Sequence, residues 1–202
     1  MGFLKLITGS KAGKSKHKGG SKQRRKQNDV DASLTVNESQ VSNSSFKFSN
    51  EQIIEQYMAA KNRHASVEEL LEFWTSDKAK AKFDDHGSMT ARQLLTEINN
   101  LNQGFEDMMF TFESIEEVEP GVVLVEQLVV TGTHTSDLKF MDFPVIPKTN
   151  RHVVLDPERL YFTVKNGKIT KMEDTALGNL TGPPGMYMAV GGKLIKPSKQ
   201  EN

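Results

Sequence analysis

The residues able to carry acid–base chemistry are few and unevenly spread. Alternation along Val122–His134 places Val122, Leu124, Glu126, Leu128, Val130, Gly132 and His134 on one face of a strand. A carboxyl alone among apolar neighbours is costly to ionise, so a buried Glu126 would have a raised pKa and suit a general base. An exposed Glu126, or one paired with a lysine across the sheet, would do no such work. His134 closes the same face, either as a pocket group or as a strand-end histidine bonded to backbone or water. Tyr57 lies on the apolar side of a helical run and either donates into a pocket or packs in the core with its hydroxyl at the rim. Trp74 and the cluster Phe105, Phe110 and Phe112 read as core. A pocket in such a core would have Tyr57, Trp74, Phe110, Phe112 and Leu128 for its walls.

Other chemistries find little support. Asp84-Asp85-His86 has metal-ligating types, but adjacent residues of an extended chain point to opposite sides, which favours a solvated turn. No other spacing suggests a metal, and no cofactor motif stands out. Gly9-Ser10-Lys11-Ala12-Gly13-Lys14-Ser15 has three residues between its glycines where a phosphate-binding loop has four, and no strand precedes it. The chain holds no cysteine, so thiolate nucleophiles, thiolate metal sites and disulfides are excluded.

The elements that must position these residues show in the periodicity. Ser49-Asn50-Glu51-Gln52, Ser66-Val67-Glu68-Glu69 and Thr90-Ala91-Arg92-Gln93 each fit a capping box, in which a hydroxyl caps the third backbone N–H and the Glu or Gln reaches back. Apolar residues at helical spacing follow each, predicting helices over 49–62, 66–75 and 90–102. A short piece around Phe83–His86 separates the last two, and Gly87 breaks the chain. From Gly104 the period becomes that of strands, expected over 106–118, 122–135, 152–165 and 168–175. Pro120-Gly121 and Asn166-Gly167 are the turns, and Asp156-Pro157 marks a bulge or kink. Helices first and a meander of long strands afterwards describe an α+β layer, with a curved antiparallel sheet wrapping three N-terminal helices.

This order, with Phe73-Trp74 near the end of the second helix, Thr131-Gly132-Thr133-His134-Thr135 at a strand end and Asn166-Gly167-Lys168-Ile169 at the last hairpin, resembles the SnoaL-like group of the nuclear-transport-factor-two-like superfamily. The resemblance covers roughly residues 50–177. It implies a cone-shaped fold with a pocket between the helices and the concave sheet. Its members include polyketide cyclases, ketosteroid isomerases, epoxide hydrolases and dehydratases, beside non-catalytic association modules. In the SnoaL-like enzymes an Asp on the strand after the Gly-Thr-His-Thr segment is the base, with the motif histidine nearby. His134 matches that histidine, whereas the acid's place falls near Leu160. The nearest carboxyls, Asp156 and Glu158, would reach the pocket only through a register shift at the Asp156-Pro157 kink.

The remaining chain divides by composition into a basic tail at 1–45, the domain at 46–177 and an irregular Gly/Pro-rich extension at 178–202. Nine of the 26 Lys and Arg lie in residues 1–28 with no acid among them, so the other 17 face 26 acidic residues, a net charge of −9. The tail is too poor in apolar residues to offset its ordering entropy and reads as disordered. Gly2 before a basic run resembles a myristoylation signal with a polybasic patch, although Leu6 stands where Ser or Thr belongs. Ser21–Lys26 would alternatively serve nuclear import or nucleic-acid binding. An intracellular, most simply cytoplasmic, location is expected, with an anionic membrane or the nucleus as the tail's alternatives.

Two functions follow. One is a pocket domain for a small apolar molecule, with cyclase-, isomerase- or dehydratase-type acid–base chemistry by Glu126, Asp156 or Glu158 beside His134. The other is a non-catalytic module that homodimerises through its outer sheet face and is targeted by its tail.

Overall fold

The computed structural model describes residues 48–84 and 87–194. The expectations for the basic tail, for Gly2 and for Asp85 and His86 concern residues outside these ranges.

Helix α1 (Asn50–Asn62) and helix α3 (Ala91–Gly104) begin with complete capping boxes at Ser49/Gln52 and Thr90/Gln93. Between them, α2 (Val67–Leu71) is capped by Ser66 on the Glu69 N–H, but the return bond is not made, because the Glu69 carboxylate pairs with Arg63. Helix α2 ends at Leu71, short of the expected residue 75, because the chain tightens there into three-residue turns, with the Glu72, Phe73 and Trp74 N–H groups donating to Glu69, Leu70 and Leu71 O. The chain then forms β1 (Lys80–Phe83) and β2 (Gly87–Thr90), a hairpin where a short connecting piece was expected.

The rest of the sheet is organised on one long strand, β5 (Val122–Thr133). Along one edge it pairs first with β4 (Ser114–Glu119) and then with β3 (Met109–Thr111). Along the other it pairs with β7 (Glu158–Lys165) and then with β6 (His152–Val154). The strands expected as continuous over 106–118 and 152–165 are therefore each broken in two. The first break, at 112–113, falls opposite an irregularity in β5, where Gln127 takes φ 52 and three steps of β5 oppose two of β7. The second, at 155–157, lies just past it, between the pairs Leu128 with Glu158 and Thr131 with Val154. An extra residue in one strand sharpens the local twist and bends the sheet, which supplies its curl. Strand β8 (Lys168–Ala176) follows β7 through the Asn166-Gly167 turn, with Asn166 at φ 51 and Gly167 at φ 76.

The order β2-β1-β8-β7-β5-β3 contains one parallel pair, β1 with β8, so the sheet is mixed where an antiparallel one was expected. A hairpin joins only antiparallel strands, so the parallel β1–β8 pair is connected by a crossover, which here comprises all the elements from β2 to β7. The sequence also continues past 178 into a helix, α4 (Gly182–Ala189), rather than an irregular extension. Pro183 and Pro184 suit the first helical turn, where no intrahelical N–H bond is required. Met186 and Tyr187 on α4 are each 1% exposed, so this segment belongs to the core. That core lies between the helices and the inner sheet face, with Tyr57 packed edge-on to Phe73, Trp74 and Phe162.

Candidate functional site

One cavity in the domain combines an apolar lining with buried ionisable groups. Helix α1 contributes Lys61, and α3 contributes Leu94, Ile98 and Leu101. The sheet contributes Phe110, Val130, Glu158, Leu160 and Met172, and α4 closes the space with Gly182, Pro183 and Met186. Its volume is about 30 Å³, room for a water molecule. A larger occupant needs one wall to move. Helix α4 is the short, separately tethered wall, held by Tyr187 Oη donating to Pro144 O at 2.8 Å and by Arg151 Nη1 donating to Ala189 O at 2.8 Å.

Glu158 reaches this space by plain alternation. On β7 the residues Glu158, Leu160, Phe162 and Val164 all point inward, so Glu158 shares a face with the place near Leu160 without the register shift that the sequence reading required. It is 5% exposed, and its Oε2 is buried with no hydrogen-bond partner. Burial pushes its carboxyl up from 4.5 to about 7, and the neighbouring Asp174 charge pushes the same way. The Lys61 ammonium and the Gly182 N–H oppose this more weakly. Gly182 adopts φ +58, a conformation that favours glycine, and a Cβ there would stand 3.8 Å from Glu158 Oε2.

Lys61 faces Glu158 from the last turn of α1. It is 4% exposed, and its Nζ sits 3.9 Å from the centre of the Phe110 ring. Burial lowers its pKa from 10.5 to about 8, against the pull of the Glu158 carboxylate. Asp174, inward on β8 after Met172, accepts a hydrogen bond from the Asp84 N–H at 2.8 Å. Neither Lys61 nor Asp174 was singled out from the sequence, yet both positions carried a signal. Lys61 continues the apolar stripe Ile54, Tyr57 and Met58 at helical spacing, and Asp174 continues the alternation of β8.

The other candidates lie elsewhere. His134 is fully buried beside Phe105, at 5.1 Å between ring centres. Its Nδ1 accepts the Thr149 N–H at 3.2 Å and faces Thr149 Oγ1 at 3.0 Å. An obligate donor on Nδ1 places the ring proton on Nε2, which is buried without a partner. Burial keeps the His134 pKa below its ordinary value, with the Asp137 charge and the Ser136 backbone opposing. His134 thus anchors the end of β5 to residues 149–151, away from the cavity lining. The turn at Gln127 explains Glu126. Val123 and Val125 face the core before it and Leu128 and Val130 after it, so the expected single face changes sides at Glu126. Glu126 there forms an ion pair with Arg159 at 2.8 Å. Asp156 uses Oδ2 to accept the Asn179 and Leu180 N–H groups at 2.8 and 3.0 Å, which fixes the approach to α4.

Among the expected wall residues, Phe110 lines the cavity. Tyr57 and Trp74 pack in the core beside it; the Trp74 indole N–H is a polar neighbour of the Tyr57 hydroxyl at a geometry too poor for a full hydrogen bond. Leu128 is buried outside the lining, and Phe112 is 37% exposed. Among the described residues no group of three or more His, Cys, Asp or Glu could hold a metal, and no helix is long and apolar enough to cross a membrane.

The domain is α+β, with a curled mixed sheet and helices on its inner face, which is the SnoaL-like, nuclear-transport-factor-two-like fold. Solved structures bear it out. AclR from Streptomyces galilaeus, provisionally assigned as a hydroxylase, superposes with a TM-score of 0.55 at 19% identity, covering 74% of this chain and 85% of its own. A protein from Jannaschia sp. CCS1, provisionally assigned as a SnoaL-like polyketide cyclase, gives 0.50 at 17% identity, covering 63% and 85%. IdmH from Streptomyces antibioticus, likewise provisionally a polyketide cyclase, gives 0.50 at 19% identity, covering 64% and 93%. No protein-family model matches the sequence, and no curated protein matches it.

Proposed function

We propose that the domain binds a small apolar carbonyl compound in the cavity beneath α4, and that Glu158 moves a proton at the carbon beside the carbonyl. Cyclisation, isomerisation and dehydration of the SnoaL-like kind all begin with that transfer. The carrying observation is the buried Glu158 carboxyl with its unpartnered Oε2 on an apolar wall. A base near pH 7 is matched to the operating pH, where the product of its ionised fraction and its basicity is largest. The apolar lining admits hydrocarbon better than charge, and expelling water from it strengthens any interaction with a developing enolate. The neighbours assigned as polyketide cyclases share the fold and support this class of chemistry.

The test is exchange of α-hydrogens in butanone for deuterium from heavy water, followed by proton NMR with the full-length protein. Glu158-dependent exchange is expected, with Glu158→Gln lower by about 10²–10⁴-fold. Exchange equal in both proteins would remove Glu158 from the chemistry.

The second reading, self-association, is favoured by the outer sheet face. Met109 and Val154 flank Thr131 in register on either edge of β5, and are 43% and 61% exposed. A homodimer through this face is compatible with a working cavity on the other side. Native mass spectrometry should then show a dimer that Val154→Lys dissociates.

A further inference from the structure

The proton-transfer reading uses one of the two ionisable side chains on the cavity wall and leaves the other without a task. An ammonium facing an apolar space is expensive to keep, and stability alone would favour a methionine or leucine at that position. Lys61 nevertheless closes the apolar stripe of α1, at 4% exposure. It shares the lining with Glu158 and has the Phe110 ring face beneath its Nζ. An aromatic face steadies a cation but takes no proton from it, so the amine is held in place without being consumed by a close carboxylate.

We infer that Lys61 is a covalent carbonyl-capturing group, which condenses through Nζ with a ketone or aldehyde in the cavity to form an imine, with Glu158 carrying the protons. This rests on the reading that the cavity admits a carbonyl compound, and it names how that compound is held. The neutral amine attacks the carbonyl carbon, a C–N bond forms, and the C=O π electrons move to oxygen. That oxygen takes a proton from the Glu158 carboxylic acid, and the nitrogen returns one to the resulting carboxylate, giving a carbinolamine. A second proton from Glu158 lets the hydroxyl leave as water while the nitrogen lone pair forms C=N⁺. The iminium withdraws electrons from the α-carbon, and the Glu158 carboxylate removes the α-proton to give an enamine. No oxidant or further reactant enters, and one water leaves for each carbonyl bound.

The ionisation behaviour of the two groups supports this order of events. Near pH 8 about half of Lys61 is free amine, where a lysine in water at its ordinary 10.5 is less than about 1% free. Glu158, at about 7, is available in both of its forms over the same range. Amines desolvated in apolar pockets are activated as nucleophiles for this reason.

Trapping tests the inference directly on the full-length wild-type protein. Butanone and sodium cyanoborohydride at pH 7.5 reduce any imine to a stable sec-butyl amine, located by peptide mapping. Lys61 should be labelled at least about tenfold faster than the exposed Lys139 and Lys148, and Glu158→Gln should slow labelling at Lys61 alone. Labelling of Lys61 at or below the rate of those exposed lysines, or none, overturns the inference. The α-hydrogen exchange assay then separates the two readings. Glu158-dependent exchange that persists in Lys61→Met, together with failed trapping, leaves the proton transfer standing and the covalent capture refuted. Trapping at Lys61 without Glu158-dependent exchange does the reverse.

Discussion

Replacing Glu158 by glutamine removes a titrating proton while keeping the volume of the side chain. The wild-type carboxyl has a native pKa of about 7, against 4.5 in the unfolded chain. Between those values the native state holds a proton that the unfolded chain has released, so the native state binds more protons and stability falls as pH rises. The full effect of the shift is about 3 kcal/mol, and about 2 kcal/mol of it falls between pH 5 and pH 7. The group is buried, so solvent screening removes little of this. Urea denaturation of wild type and Glu158→Gln at half-unit steps from pH 5 to pH 7 should show the variant gaining about 2 kcal/mol on the wild type. In thermal melts that corresponds to about 4–8 °C for a domain of this size. Titrating groups remote from Glu158 are common to both proteins and cancel in the difference, leaving Glu158 with its coupling to Asp174 and Lys61. A difference that stays flat within about 0.5 kcal/mol, a quarter of the linkage effect, would refute the burial argument.

Three more outcomes follow from the same geometry. Lys61 is lowered from 10.5 to about 8, so the native state sheds its proton first and wild-type stability should rise between pH 8 and pH 10; Lys61→Met should lack that rise in urea melts. His134→Gln should cost about 1 kcal/mol through its lost bonds to Thr149 while leaving butanone exchange unchanged within about twofold, since His134 lies outside the cavity lining. Gly178→Ala should destabilise by about 1–3 kcal/mol in the same melts, because the new Cβ would lie 2.3 Å from Asp156 Cβ and break the cradle that Asp156 makes for Asn179 and Leu180.

The fold class and the helix starts were legible because they are local. A hydroxyl three residues before Gln52 or Gln93 fixes a helix entry whatever surrounds it, and Asn166-Gly167 fixes its turn. Long-range features were not legible. The bulge at Gln127 carries no glycine to announce it, and it reverses the face of β5 on which Glu126 had been placed. Pairing of β1 with β8 joins segments some ninety residues apart, for which neither strand carries a signal. Gly182-Pro183-Pro184-Gly185 reads as a breaker, yet two prolines at a helix start are compatible with helix, and burial of Met186 and Tyr187 decides the matter. At the site, the resemblance pointed to His134, whose bonds to Thr149 show it anchoring a strand end. Glu158 was named but thought to need a displaced register. Lys61 was missed because a lysine at the end of an apolar stripe ordinarily extends its amine past the helix end into water.

The proposed chemistry depends above all on Glu158 being a buried carboxyl that titrates near neutrality at an apolar cavity. Carbon-13 NMR of the protein labelled at glutamate side-chain carboxyls, with Glu158→Gln to assign the resonance, reads this titration without any substrate. The Glu158 signal should titrate about pH 7, well above the ordinary carboxylate range, and move when butanone is added. A Glu158 resonance that titrates near 4.5 and ignores butanone would contradict that chemistry.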